Sequence, residues 1–239
     1  MKIELVRKAF VLIFSFGFSF GNAANSKSAD QWLKKADEIR NPSQSYSMRI
    51  VVKSEDDESE FQVFLKGQDK TMIVTKAPAR DRGRNMLMLD REFHAYVPNL
   101  KRSMRLSLAQ KLSGQVANGD ISRTRWHGDY TPTIEKEDGK LLQMFLKANK
   151  DNLTYAAIRL WIEKSTNRPL KTEYLASNGK TILKRAYFES YQQLAGALRP
   201  SVIRIVDPAE TSSKIQILEM KNDSFEDTFF TVRSMESQK

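Results

Sequence analysis

The chain has 239 residues, 40% of them hydrophobic and 28% charged, with a formal net charge of +10 and no cysteine. That composition excludes a disulfide framework, a thiolate metal site and a lipid-anchoring thiol, and it leaves acidic surfaces such as anionic headgroups as natural partners. Nucleic acid is excluded as a partner by the absence of a dense Lys/Arg run or a matching motif.

Lys2, Arg7 and Lys8 precede an apolar run from Ala9 to Phe20, which ends in the small and polar Gly21-Asn22-Ala23-Ala24. This pattern reads as a secretory signal peptide over residues 1–23, cleaved after Ala23 or Ala24, with an uncleaved anchor as the alternative. No other stretch approaches the ~20 apolar residues that a membrane-spanning helix needs. The reading is therefore an exported protein, soluble after cleavage and periplasmic, whose residues 24–239 form one domain and act as a monomer.

Ser28-Ala29-Asp30-Gln31 spells a helix-capping box, Trp32, Leu33, Ala36 and Ile39 supply an apolar stripe, and Pro42 ends the helix. Alternation then takes over. Tyr46, Met48, Ile50 and Val52 share one face, followed by Phe61, Val63 and Leu65, and then by Met72 and Val74. Gly67, Asp138-Gly139 and Asn178-Gly179 mark hairpin turns. Residues 85–90 are apolar on both faces, Met86 and Met88 on one and Leu87 and Leu89 on the other, so neither side of the sheet is wet there. An aromatic strand at 93–98 and a basic one at 101–106 follow, and later strands are expected at 141–148, 156–163, 170–176, 181–194, 201–206 and 214–221.

Two segments interrupt the strands: 107–112 reads as a helical turn and 119–126 as irregular or weakly helical. A long antiparallel meander with few helices must close as a barrel or curl around those helices, a two-sheet sandwich being the alternative. Between Leu100 and Trp126, an inserted loop would then turn Leu106, Leu108, Leu112, Ile121 and Trp126 inward, and Leu108, Leu112, Ile121 and Trp126 are the expected lid residues.

Catalysis finds no support. His94 and His127 are the only imidazoles, no serine sits in a nucleophile elbow, and the acidic run 56–60 lacks the spacing and glycine of a calcium loop. The expectation is a non-enzyme without cofactor or metal.

Several ordered motifs resemble the LolA-like outer-membrane lipoprotein-sorting family. They are Lys76-Ala77-Pro78 before Gly83 and the strand at 86–89; Phe93-His94-Ala95-Tyr96-Val97-Pro98 with Lys101-Arg102; Tyr155 with Ile158-Arg159-Leu160-Trp161-Ile162; Arg168-Pro169-Leu170-Lys171; Asn178-Gly179-Lys180; Arg199-Pro200; and the closing 225–231. The resemblance implies a mainly β fold, an incomplete and strongly curved antiparallel β-barrel covered by a helical lid. It implies carriage of acyl chains, from a lipoprotein or lipid, toward the outer membrane in partnership with an inner-membrane transporter. The alternatives are a lipid-sensing regulator and a transporter-accessory subunit. The expected cavity lining is Met48, Ile50, Val63, Leu65, Met72, Met86, Met88, Tyr96, Met144, Leu160 and Ile162, with the face uncertain by one residue because a register slip exchanges faces. Arg102 and Arg105 are the expected contacts to an anionic headgroup or membrane surface.

Overall fold

The computed structural model describes residues 27–42, 45–90, 92–122, 125–151 and 153–238. The expected signal peptide lies outside them. Helix α1 (Ala29–Arg40) begins with the capping box its sequence spells: the Ser28 hydroxyl accepts from the Gln31 amide at 3.2 Å, and the Gln31 side chain accepts from the Ser28 amide at 2.9 Å.

Everything else is organised by one 13-stranded antiparallel sheet. Strands β1 (Tyr46–Lys53), β2 (Glu58–Lys66), β3 (Lys70–Ala77), β4 (Met86–Leu89), β5 (Glu92–Val97) and β6 (Arg102–Leu106) step outward to one edge. The chain then leaves the sheet through a small hairpin, β7 (Lys111–Ser113) with β8 (Val116–Ala117), and a short helix, α2 (Asn118–Ser122). It re-enters at the opposite edge as β9 (Tyr130–Glu137). From there β10 (Leu141–Ala148), β11 (Ala157–Glu163), β12 (Arg168–Leu175), β13 (Ile182–Leu194), β14 (Ala197–Val206) and β15 (Ser212–Asn222) step back to the middle, where β15 pairs with β1 from Tyr46↔Asn222 to Lys53↔Lys214. The sheet is curved and open, its edges being β6 and β9. Register shifts at Arg49/Ile50, Glu60/Phe61, Gln143/Met144, Trp161/Ile162 and Tyr174/Leu175 bend the strands and increase their twist, which curls the wall.

Both faces carry apolar side chains. The concave face holds the main core, including Met48, Ile50, Val63, Leu65, Met86, Met88, Met144, Leu160 and Ile162, and α1 lies against it through Trp32, Leu33 and Ala36. A second cluster sits on the convex side of β2 to β5, where Met72, Val74 and Leu87 are covered by Phe230 and Met235 from the C-terminal segment. That segment contains a 3-10 turn, Asp227–Phe229, and helix α3 (Val232–Ser237), capped by Thr231 accepting from the Ser234 amide at 3.1 Å. Phe229 meets Phe64 edge to face at 5.0 Å, and the buried Asn85 amide donates to the carbonyls of Met235 and Gln238 at 3.0 and 2.8 Å. The doubly apolar 86–89 strand is thus explained: its outer face is roofed by residues 225–238.

Three expectations are corrected by the structure, and one strand is added to them. Met72 and Tyr96 belong to the convex cluster rather than the concave wall, since Met72 pairs with Leu87 and Tyr96 with Ser103, one residue out of phase with Met86↔Ala95. Segment 107–112 is a turn leading into the β7 strand instead of a helical turn, and the helix comes later, at Asn118–Ser122. Strand β9 was not read from the sequence; as an edge strand it is exposed along most of its length, and Pro132 suits an edge. Finally, α1 extends its buried face to Asp37 and Arg40, while Ile39 is half-buried.

Truncation of the convex roof is expected to be costly. Phe230→Ala should destabilise the fold by about 3 kcal/mol, as emptying a buried aromatic site does, whereas Val232→Ala on the exposed side of α3 should change stability by less than about 0.5 kcal/mol. Urea melts of the two variants compare them directly; equal midpoints would show that the C-terminal segment does not contribute to the core.

Candidate functional site

The sheet cannot cover its own concave face, so α1 and the strap of residues 107–129 do so. Leu108, Val116, Ile121 and Trp126 of the strap are buried in the main core, and Leu106 and Leu112 pack half-buried against it. The four expected lid residues, Leu108, Leu112, Ile121 and Trp126, therefore all face the concave wall.

Polar groups fix where the strap sits. Asp37, on the inner face of α1, accepts from the backbone amides of Trp126 and His127 at 2.9 and 3.0 Å and from the Asn41 side chain at 3.0 Å. One carboxylate thereby ties the helix to the strap. Burial pushes the Asp37 carboxyl above its ordinary range, against the opposing pull of Arg40, whose Nη1 is 3.9 Å away. The helix end is held in turn by Arg199 of β14, whose Nη1 donates to the carbonyls of Glu38 and Ile39 at 2.7 and 2.8 Å. Cations at a helix C-terminus complement both the dipole and the orphan carbonyls.

A second knot lies under α2. Asp120 accepts from the Ala117 amide at 2.7 Å and from the Tyr155 hydroxyl at 2.7 Å, and it forms a buried ion pair with Lys184. Lys184 also donates to the Gln115 carbonyl at 3.2 Å. Tyr155 stacks on Tyr174 with centroids 4.1 Å apart, and burial raises both hydroxyls, Tyr155 well above the usual phenol range and Tyr174 to about 12. The fit of the strap is close: a Cβ on Gly119 would stand 1.9 Å from the Thr154 hydroxyl, so only glycine is accommodated there.

Not every buried polar atom here is satisfied: Arg125 Nε and Thr172 Oγ1 make no hydrogen bond, and Arg40 leaves two donors unmet. Its guanidinium lies 3.7 Å over the Trp126 ring and 5.1 Å from the Phe188 ring, yet Nε and Nη1 have no hydrogen-bond partner. Leaving such donors unsatisfied when buried costs about 1–3 kcal/mol each, more for a charged group.

The space between these parts is small. A polar pocket of about 110 Å³ separates α1 from the β2–β3 turn and the strap, lined by Lys34, Asp37, Leu65, Lys70, Arg125 and His127 among others. A cleft of about 30 Å³ lies between Arg40, Ile121 and the wall residues Met48, Ile50, Ile203, Ile215, Ile217 and Met220. Sites for drug-sized ligands run to roughly 300–1,000 Å³, so the interior is filled by its own side chains in this state.

Of the expected lining, Met48 and Ile50 border the apolar cleft and Leu65 the polar pocket; Val63, Met86, Met88, Met144, Leu160 and Ile162 are packed in the concave core. Arg102 and Arg105 do not form one patch. Three residues apart on a strand, they point to opposite sides: Arg102 pairs across with Val97, while Arg105 pairs with His94 and meets Glu92 at 3.6 Å. Asp37, Arg40, Asp120, Lys184 and the β14–β15 isoleucines escaped the sequence reading. A signal for the first two was present, since Leu33, Ala36, Asp37 and Arg40 stand at i, i+3, i+4 and i+7, which places two charges inside the apolar stripe. Among the described residues no group of His, Cys, Asp and Glu is arranged to hold a metal, and no helix is long and apolar enough to cross a membrane.

A family model described as an uncharacterized protein matches residues 67–237. Among solved structures, a LolA superfamily protein from Nitrosomonas europaea is 32% identical, with a TM-score of 0.79 over 87% of this chain and 99% of that one. A DUF1329 family protein from Desulfovibrio piger is 19% identical with a TM-score of 0.72, over 87% and 97% of the two chains. An outer membrane lipoprotein-sorting protein domain from Vibrio parahaemolyticus is 18% identical with a TM-score of 0.68, over 87% and 98%. These last two share the fold. No curated protein matches the chain.

The Asp37 knot has a pH signature. A carboxyl whose folded-state pKa lies above its unfolded 3.8 binds its proton more tightly in the folded state, so stability falls as pH rises through the interval between the two values. Relative to Asp37→Asn, which cannot ionise, the wild type should lose stability as pH climbs above about 4. Urea melts of both proteins across that range give the slope; a flat or rising difference would contradict burial as the dominant influence on Asp37.

Proposed function

The chain belongs to the LolA superfamily, and we propose that it is a non-enzymatic carrier that works outside the cytoplasm, shielding the acyl chains of a lipoprotein or lipid on their way toward the outer membrane. The observation that carries this reading is the cover of the concave face. An apolar wall is closed by a helix and a strap tied down at a few polar points, an arrangement that supports reading the strap as a stopper. A purely structural core is ordinarily closed by another packed layer of secondary structure.

The energetics agree with carriage. Each methylene taken from water is worth about 0.8 kcal/mol, so an acyl chain crosses an aqueous space only inside a comparably apolar surface. With the strap displaced and α1 left in place, the wall offers Met48, Ile50, Val63, Leu65, Met86, Met88, Met144, Leu160 and Ile162, extended by Ile203, Ile215, Ile217 and Met220. Methionine adapts to irregular apolar partners, which suits a surface that must pack against itself when empty and against cargo when loaded. Met72 and Tyr96 take no part, lying under the convex roof. Residues 1–23 serve as the export signal, and residues 24–239 act as a monomer in the periplasm that receives cargo from an inner-membrane transporter. The net charge of +10 falls to +8 once Lys2, Glu4, Arg7 and Lys8 are removed with the signal, and it still favours approach to anionic membrane surfaces, with Arg102 on the concave side of the β6 edge and Arg105 on the opposite side.

If the stopper must leave, tying it down stops uptake. The chain contains no cysteine, so Asp30→Cys with His127→Cys introduces a unique pair where the two side chains now meet at 3.3 Å. Joining them with a cleavable bis-maleimide should reduce uptake of a fluorescent acyl probe at least about tenfold, and cleaving the linker should restore it. Unchanged uptake by the joined protein would sink the reading.

A further inference from the structure

The apolar cleft is lined by a buried cation, Arg40, with two donors that make no hydrogen bond. Arg40 is 8% exposed, it lines the cleft together with Met48, Ile50, Ile203, Ile215, Ile217 and Met220, and its Nε and Nη1 make no hydrogen bond, the Asp37 carboxylate standing 3.9 Å from Nη1. Ile203 and Ile217 are half-buried, so the cleft continues toward the surface along β14 and β15. An apolar slot lined by N–H groups that make no hydrogen bond is complementary to a molecule with an apolar tail and an oxygen acceptor at its head.

The surrounding charges decide what kind of acceptor fits. Asp37 is 3.9 Å from the Arg40 guanidinium, and Asp120, which lines the same cleft, is paired with Lys184. Two cations and two carboxylates already balance. A ligand carboxylate would add an unpaired negative charge beside two others in a desolvated site, whereas a carbonyl oxygen accepts from Arg40 without adding charge. The other side-chain donors lining the cleft are committed: the Tyr46 hydroxyl donates to the Asn41 side-chain oxygen at 3.4 Å, and the Asn41 amide donates to Asp37 at 3.0 Å.

We propose that Arg40 is the polar anchor of the acyl site and binds the carbonyl oxygen of an uncharged acyl ester, with the chain running along Ile215, Ile217 and Met220 toward Ile203. This rests on the carrier reading above and adds to it the ligand's chemical class and the residue that selects it. The cleft of about 30 Å³ widens on loading through withdrawal of Ile121 with the strap, which leaves Arg40 facing the wall from the end of α1.

Three probes with equal twelve-carbon chains separate the outcomes: monolauroylglycerol carries the ester carbonyl, its dodecyl ether analogue lacks it, and laurate is charged. Each is titrated against a fluorescent acyl probe bound to the mature protein at neutral pH. The ester should displace the probe at about tenfold lower concentration than either the ether or laurate, the factor expected for a hydrogen bond to a charged donor. Arg40→Met keeps the apolar stem, and it should bring the ester to the level of the ether while the ether itself is unchanged, which also reports that the variant is folded. Ile217→Trp, which fills the open part of the slot, should weaken ester and ether alike. Equal displacement by ester and ether in the wild type, or tightest displacement by laurate, would overturn the anchor and leave acyl carriage standing. Failure of the fluorescent probe to bind at all would remove the carrier reading and the anchor with it.

Discussion

A curved sheet that does not close has an apolar inner face that it cannot bury by itself, and α1 and the strap answer that constraint while residues 225–238 roof part of the outer face. The strand order shows why closure fails: β6 and β9 are consecutive long strands in the chain but lie at opposite ends of the sheet, and the residues between them are spent on cover instead of pairing. Pairing of β1 with β15 then makes the middle of the wall continuous, so curvature accumulates through the bulged strands on either side of it. The missing closure is thus a consequence of where one segment goes, and the same segment repairs it by filling the concavity.

Covering with a strap raises a polar problem, because irregular chain brings unpaired amides into an apolar interior. Asp37 and Asp120 solve it by accepting from strap amides, one from the helix above and the other from within the strap. Buried charges of this kind add little net stability, since desolvation offsets the attraction, but they penalise any alternative placement that leaves them unpaired. Their effect is to specify one seat for the strap. Arg40 departs from this pattern in a useful way: the Trp126 ring stabilises its charge through its face while two of its donors stay unmet.

How far the sequence reveals this depends on whether the deciding partner is local. The helix start is written in adjacent residues, Ser28 and Gln31, and forms as spelled. The alternations of β1 and β2 also translate directly, because their convex-side neighbours are largely polar or half-exposed. In β3 the pattern loses its period: Met72, Ile73 and Val74 are all buried, since the roof over the outer face comes from residues 225–238, far along the chain. Two apolar faces next to each other carry no phase, so Met72 could not be assigned from its own strand. Strand β9 was hidden for the opposite reason, being an edge with little buried on either side. The Arg102 and Arg105 pair failed on simple parity, as an odd spacing cannot bring two side chains to one face of a strand. Asp37 and Arg40 were legible in principle, as charges lodged in a helical stripe, but their partners in the strap and on β13 were not.

The excursion between β6 and β9 has a mechanical consequence. Drawn out fully, residues 107–129 would reach more than about 70 Å. None of the thirteen strands depends on it for its ladder, since β6 is hydrogen-bonded to β5 and β9 to β10. Lifting the strap therefore breaks side-chain packing and a few capped amides while the wall keeps its register. On the carrier reading, wall and strap are separate cooperative units, and the strap opens at a fraction of the free energy that global unfolding requires. A protein built in this way can expose its interior repeatedly without approaching the unfolded state.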